Sequence, residues 1–332
     1  MRRYSPALIL FILAPLIAEV LFGATPFSRI GGLVVTAPLY GGGALLLREL
    51  ARRRGGGWDR IALLGAAYGI VEEGLAIQSL FNPALFNAGV LGGRWLGVNW
   101  VWTQWTVGYH IVWSMLIPIL LTELLFPARR AEPWLGRFGV GVAGALYAVG
   151  ALALGATFRL FVTPEYRAPL PLLIVAALLV SGLVVLALAW PQRVAQAAAP
   201  SGRAPSPWVV GLAVLIAAAA WFALLDLPHA LRAGALALLP MLGVAAVAAG
   251  VAALLRRWSA APGWGDLHRL AAVLGALVVS TAFGFFVVTA GNRADQLAQG
   301  AAGLVALALL GVFAWRLRGQ PRRDRLAADA LR

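Results

Sequence analysis

The sequence predicts an all-α, polytopic bundle of about ten membrane-spanning helices, with both termini on the cytoplasmic side. Composition is the first reason: 61% of residues are hydrophobic and 12% charged, with a mean hydropathy of +0.84, whereas soluble domains carry about 25% charge. The second reason is length, because the apolar residues fall into runs close to the ~20 that a bilayer demands. The third is the arginines, which make up all 27 basic residues and gather in alternate connections.

The runs are Pro6–Ala24, Ile30–Leu50, Ile61–Phe81, Thr103–Phe126, Phe138–Phe161, Leu170–Trp190, Trp208–Leu225, Ala230–Leu255, Leu270–Ala290 and Ala298–Trp315. With the N-terminus inside, the first inner segments hold Arg2 and Arg3, then Arg48, Arg52, Arg53, Arg54 and Arg60. Arg129, Arg130 and Arg137 follow, then Arg193 and Arg203, then Arg256, Arg257 and Arg269, and finally the arginines from Arg316 onward. Each inner segment outweighs its outer neighbours, which is the positive-inside pattern. The net charge of +14 is therefore topological. The expected partner is the lipid bilayer of a bacterial cytoplasmic membrane, not nucleic acid. Met1-Arg-Arg before a short apolar run, with Phe22-Gly-Ala24 after it, also fits a signal peptide. Glu19 and the unbroken apolar stretch favour a retained helix.

Cysteine is absent, which excludes disulfides and thiol chemistry. Residues 1–137 read as a four-helix membrane unit with ionisable groups inside it, 138–316 as a six-helix Ala/Leu-rich unit, and 317–332 as a basic cytoplasmic tail. Gln192–Pro207, rich in Ala, Pro, Ser and Gly, reads as a flexible cytoplasmic linker. No internal repeat supports an inverted-repeat transporter, and no phosphate loop or dinucleotide motif is present.

The third run holds Tyr68-Gly-Ile-Val-Glu-Glu-Gly74, with two adjacent carboxylates deep in apolar sequence. A charge at that depth costs at least ~2.5 kcal/mol, so each carboxylate needs a proton or a partner. Gly65, Gly69 and Glu73 recur at i, i+4 and i+8, the face that another helix can approach closely. Glu73 is accordingly expected to be the more sensitive acid, with Glu72 offset by ~100° around the helix. At ~1.5 Å per residue, Glu73, Glu19 and (from the opposite direction) His110 all lie ~10 Å below the outer face. Thr103, Thr106, His110 and Ser114 form a polar stripe on the fourth run.

The candidate site is therefore Glu72, Glu73 and His110 for chemistry, with Glu19, Tyr40, Tyr68, Asn99 and Ser114 binding a substrate or ion. Plain structural roles compete. His110 with its Ser and Thr neighbours suits interhelical hydrogen bonding, and Glu19 sits one turn after Pro15. Arg48, Glu49 and Glu123 suit an interfacial salt bridge. The long outer connection Phe81–Trp102, with Asn82, Asn87, Asn99, Arg94, Trp95, Trp100 and Trp102, is expected to form a structured cap over the Glu/His layer. Asp226 and His229 are expected as solvated loop residues.

An adjacent Glu-Glu inside a membrane helix, followed by a His on the next, resembles the CPBP (CAAX-processing) glutamate-dependent intramembrane proteases over Ile61–Phe126. The resemblance implies that the first Glu activates a water while His and Asn side chains on neighbouring helices complete the site. Glu72 and Glu73 match the paired acids and His110 matches one intramembrane His. Ile77 stands where the family has Arg, Thr106 where it has Phe and Ser114 where it has Asn or Asp, and no second mid-helix His follows. Pro38-Leu-Tyr-Gly-Gly-Gly43 and Tyr68–Gly74 also look like parts of an uncharacterised bacterial membrane family.

Three readings stay open. An enzyme would use a carboxylate to take a proton from water or to hold a metal, with His110 orienting it or stabilising an oxyanion on a membrane-embedded substrate. A transporter or channel would bind a proton or small cation there, with Tyr40, Tyr68 and the Asn-rich cap lining its path. A non-catalytic assembly protein would use the layer for packing alone.

Overall fold

The computed structural model describes residues 5–191, 202–226, 231 and 234–329, without the side chains of Asn87 and of 320–329. Among the described residues, ten helical stretches overlap the predicted runs. They are α1 (Ser5–Leu21), α2 (Phe27–Arg53), α3 (Trp58–Ile70 with its continuation Val71–Ala76), α4 (Trp100–Leu125) and α5 (Arg137–Val162). The rest are α6 (Leu170–Ala189), α7 (Pro207–Leu225), α8 (Gly234–Ser259), α9 (Asp266–Val288) and α10 (Arg293–Asp329). Eight of them are long and apolar enough to cross a membrane. The other two are α1, which is shorter, and α3, which carries Asp59, Arg60, Glu72 and Glu73.

Small residues decide which helices touch. Gly41, Gly42 and Gly43 on α2 point in three directions and meet three neighbours. A Cβ on Gly41 would lie 2.5 Å from the Phe11 carbonyl oxygen of α1, on Gly42 2.8 Å from the Tyr147 nitrogen of α5, and on Gly43 2.6 Å from the Tyr68 ring of α3. Gly150 of α5 returns the contact, since a Cβ there would collide with the Leu39 backbone. Gly65 and Gly69 of α3 receive α4, whose Ile111 and Val107 Cα atoms would each lie 3.2 Å from an added Cβ. The glycine face read from the sequence is thus the α3–α4 seam, packed by van der Waals contact as helices in lipid must be. One core cluster runs from Ala7 of α1 to Leu317 of α10, and the Phe22, Phe222 and Phe283 rings join α1, α7 and α9 with centroids 4.6–6.2 Å apart.

At one end of the bundle the arginine-rich connections meet. Arg48, fully buried, bonds Glu123 Oε1 at 3.0 Å and the carbonyls of Arg130 and Glu132, and stacks 3.2 Å from the Trp134 ring. Arg52 holds the other Glu123 oxygen at 2.8 Å, and Arg53 lies 3.4 Å from Glu49. Arg130 pairs with Asp266, Arg60 donates to the Ala187 and Trp190 carbonyls, and Arg256 pairs with Asp59. The expected salt bridge of Arg48, Glu49 and Glu123 is thus a buried network rather than a wet interfacial pair.

Several boundaries differ from the sequence reading. α3 ends at Ala76, not Phe81, because Gln78 takes the left-handed conformation (φ 59°) and reverses the chain. α10 continues through Asp329, so most of the expected 317–332 tail is helical. The connection from Phe81 to Trp102 is structured: a 3-10 turn over Leu85–Leu91, then a hairpin pairing β1 (Arg94–Trp95) with β2 (Val98–Asn99). Its two-residue turn, Leu96-Gly97, has positive φ at both positions, the geometry that matches strand twist. Residues 192–201 of the linker and His229 lie outside the described residues, and Asp226 is exposed at the end of α7.

Candidate functional site

Three neighbouring helices abandon α-helical geometry at the residues in question. α1 turns π-helical over Leu16–Leu21, α3 over Val71–Ala76 and α4 over His110–Leu116, which places Glu19, Glu72 with Glu73, and His110 with Ser114 in π turns. Such turns are rare and recur at functional sites. Their i→i+5 bonding fits more residues into each turn, so consecutive side chains diverge less. The expected ~100° offset is reduced, and Glu72 and Glu73 both face the bundle interior, 5% and 7% exposed.

Glu73 meets His110 across the α3–α4 seam, with Oε1 3.2 Å from Nε2. Its second oxygen accepts a short hydrogen bond from Ser79 Oγ, which in turn accepts from Trp102 Nε1 at 2.9 Å. Each Glu73 oxygen therefore has a side-chain partner. A carboxylate that accepts from Nε2–H leaves Nδ1 with the lone pair, and Nδ1 lies 3.0 Å from the Ser114 hydroxyl. Glu72 is different. Tyr40 donates to its Oε1 at 2.7 Å, while its Oε2, 3.6 Å from His110 Nδ1, has no hydrogen bond. The Tyr68 hydroxyl, likewise buried, lies beside the Glu72 carboxylate without a hydrogen bond of ordinary geometry. Tyr40, Tyr68 and the His110 ring form a cage with centroids 5.5–6.0 Å apart, backed by Tyr147 of α5 at 5.6 Å from Tyr68.

The remaining predicted residues divide. Ser114 and Tyr40 belong to the cluster. Glu19 stands on the π turn of α1, where Thr25 Oγ1 donates to its carboxylate at 2.6 Å. Asn99 is a helix cap, its oxygen accepting from Trp102 N at 2.9 Å and its amide donating to Ala88 O at 2.6 Å. The polar stripe on α4 is only partly used, because Thr103 and Thr106 bond the carbonyls four residues back, Asn99 O at 2.7 Å and Trp102 O at 3.0 Å. Sequence reasoning missed Ser79, Thr25 and Tyr147, and named Trp102 only as part of the cap. Only Ser79 left a trace, as a lone hydroxyl in an apolar run just after the acids.

The ligand atoms of Glu72, Glu73 and His110 lie within 4.8 Å of one another, a spacing that suits one small cation. No arginine pairs with either acid among the described residues, although Glu49 and Glu123 at the arginine-rich end are paired with three.

The architecture and the buried site define a multi-pass integral membrane protein. The chain belongs to an uncharacterized membrane protein family, whose pattern matches residues 8–320. No curated protein and no solved structure matches it.

Proposed function

We propose that this is a transport protein of the bacterial cytoplasmic membrane, with ten crossings and both termini inside, in which Glu72, Glu73 and His110 bind a proton or small cation in the outer half of the bilayer. The observation that carries this reading is a pair of buried carboxylates with no fixed cation, set in π turns inside membrane helices. Burial without compensation is costly. The bundle neutralises buried Glu49 and Glu123 with arginine and leaves this pair to a mobile positive charge. A purified preparation in liposomes tests the reading, with an entrapped pH dye and imposed proton or cation gradients. Wild-type vesicles are expected to show flux that depends on pH or on the cation, and Glu73→Gln to abolish that dependence. Gradient-independent vesicles for both proteins would refute it.

The contact of His110 with Glu73 favours a second reading, a glutamate-dependent intramembrane protease in which a carboxylate activates water. Cleavage of membrane-embedded peptides that falls at least ~10²-fold in Glu72→Gln, the scale of a lost general base, would replace transport with proteolysis. Absence of flux and cleavage alike would leave an assembly role.

A further inference from the structure

We infer that the cluster is a divalent transition-metal site, with Glu72 Oε2 and His110 Nδ1 as ligands, the Tyr68 hydroxyl completing the protein's donors, and Glu73 orienting the histidine. This rests on the cation-binding reading above and names the class of cation. A metal ion, unlike a proton, draws several donor atoms to one point. Here Glu72 Oε2 has no hydrogen-bond partner of ordinary geometry, and the Tyr68 hydroxyl lies beside the Glu72 carboxylate. The 3.6 Å between Glu72 Oε2 and His110 Nδ1 is long for a hydrogen bond. Two ligands at about 2.0–2.2 Å from one metal stand roughly that far apart.

The tautomer agrees. With Nε2–H donated to Glu73, which Ser79 and Trp102 hold, the Nδ1 lone pair is left between Ser114 Oγ at 3.0 Å and Glu72 Oε2 at 3.6 Å, free for a metal. This is the carboxylate–histidine–metal arrangement in which an outer carboxylate fixes the ring and raises its basicity. Ser114 Oγ, 3.0 Å from Nδ1, can turn its proton aside and offer an oxygen. Charge balances as well, since two carboxylates and a neutral imidazole cancel a divalent ion without an arginine. An imidazole among oxygens selects Mn²⁺, Fe²⁺, Co²⁺ or Zn²⁺ over Mg²⁺ and Ca²⁺. The order expected from helical spacing is thereby reversed, with Glu72 the direct ligand and Glu73 its support.

The test uses the full chain in lipid nanodiscs, stripped with chelator and titrated with Mn²⁺, Zn²⁺ or Mg²⁺ alone. Bound metal is counted after gel filtration and the melting temperature is followed. The wild type is expected to retain one Mn²⁺ or Zn²⁺ per chain and to melt higher with it, with no response to Mg²⁺. Glu72→Gln and His110→Gln should lose the ion while staying folded. Glu73→Gln should bind about 10–100-fold more weakly, the usual effect of losing an outer carboxylate. Equal binding in wild type, Glu72→Gln and His110→Gln would mean metal on the surface and would overturn the site. Should those variants fail to fold, the Mn²⁺-loaded wild type decides by pulsed electron paramagnetic resonance, where no nitrogen coupling to the ion sinks the proposal. Proton-driven flux without metal binding would end this inference and leave the transport reading standing. Metal binding without flux would do the reverse.

Discussion

At the scale of single residues, the site depends on which hydroxyl supports which carboxylate. Ser79 is the hinge of that arrangement, passing the Trp102 indole hydrogen bond on to Glu73 from a position fully shielded from solvent. It gets there only because Gln78 adopts φ 59° and folds the chain back over the end of α3, while its own side chain accepts from Ala168 N at 2.9 Å. A left-handed non-glycine residue costs of order 1–3 kcal/mol and persists where its surroundings enforce it. Ser79→Ala should leave one Glu73 oxygen and the Trp102 N–H unpaired in the interior, destabilising the protein by about 1–3 kcal/mol. Thermal unfolding in detergent measures this, and an unchanged melting temperature would show the hydroxyl to be dispensable. Ser79→Thr, which keeps the hydroxyl, should recover most of the loss.

At the scale of elements, close approach of helices sets the positions of the side chains above. Tyr40 reaches Glu72 because α2 lies against α5 with almost no side chain between them, and Gly42 and Gly150 are the points of contact. Gly42→Ala would press a methyl group to 2.8–2.9 Å from the backbone of Tyr147 and Ala143, where neither neighbour can yield cheaply. Overpacking of this kind costs about 1–3 kcal/mol. It should also loosen the Tyr40–Glu72 contact, since α2 must move as a body. Gly144→Ala, on α5 with nothing within 4 Å of the added atom, is the control. It should be neutral or stabilise by ~0.5–1 kcal/mol, the ordinary gain of alanine over glycine in a helix. Equal effects of the two substitutions would mean that helix contact is not what the α2 glycines supply.

At the scale of the whole molecule, helices, their order and the meeting of Glu73 with His110 were legible because each follows from a periodic rule. Bilayer length marks the runs, and the i, i+4, i+8 recurrence of Gly65, Gly69 and Glu73 marks the seam. What escaped are features set by local departures from those rules. Neither the π turns, which bring Glu72 inward beside Glu73, nor the early end of α3, which frees Ser79, leaves a periodic signature. Tyr147 escaped because it comes from the apparently featureless second half and stacks on Tyr68 only through tertiary packing. The arginine tally is a rule of the first kind, and the structure adds to it. Arg48, Arg60, Arg130 and Arg256, drawn from three inner segments of the sequence, bond to partners at one end of the bundle. Ser28 of α2 and Asp295 of α10, far from these in sequence, meet through Ser28 Oγ at 2.7 Å. If the basic end is cytoplasmic, single cysteines at Gly56 and Gly319 should both resist a membrane-impermeant maleimide in intact cells and label after permeabilisation. A cysteine at Gly97, on the hairpin turn, should label from outside without it. Because the native chain has no cysteine, each signal belongs to one position. Labelling of Gly56 or Gly319 from outside would invert the bundle, and the Glu/His cluster would then lie in the inner half of the bilayer.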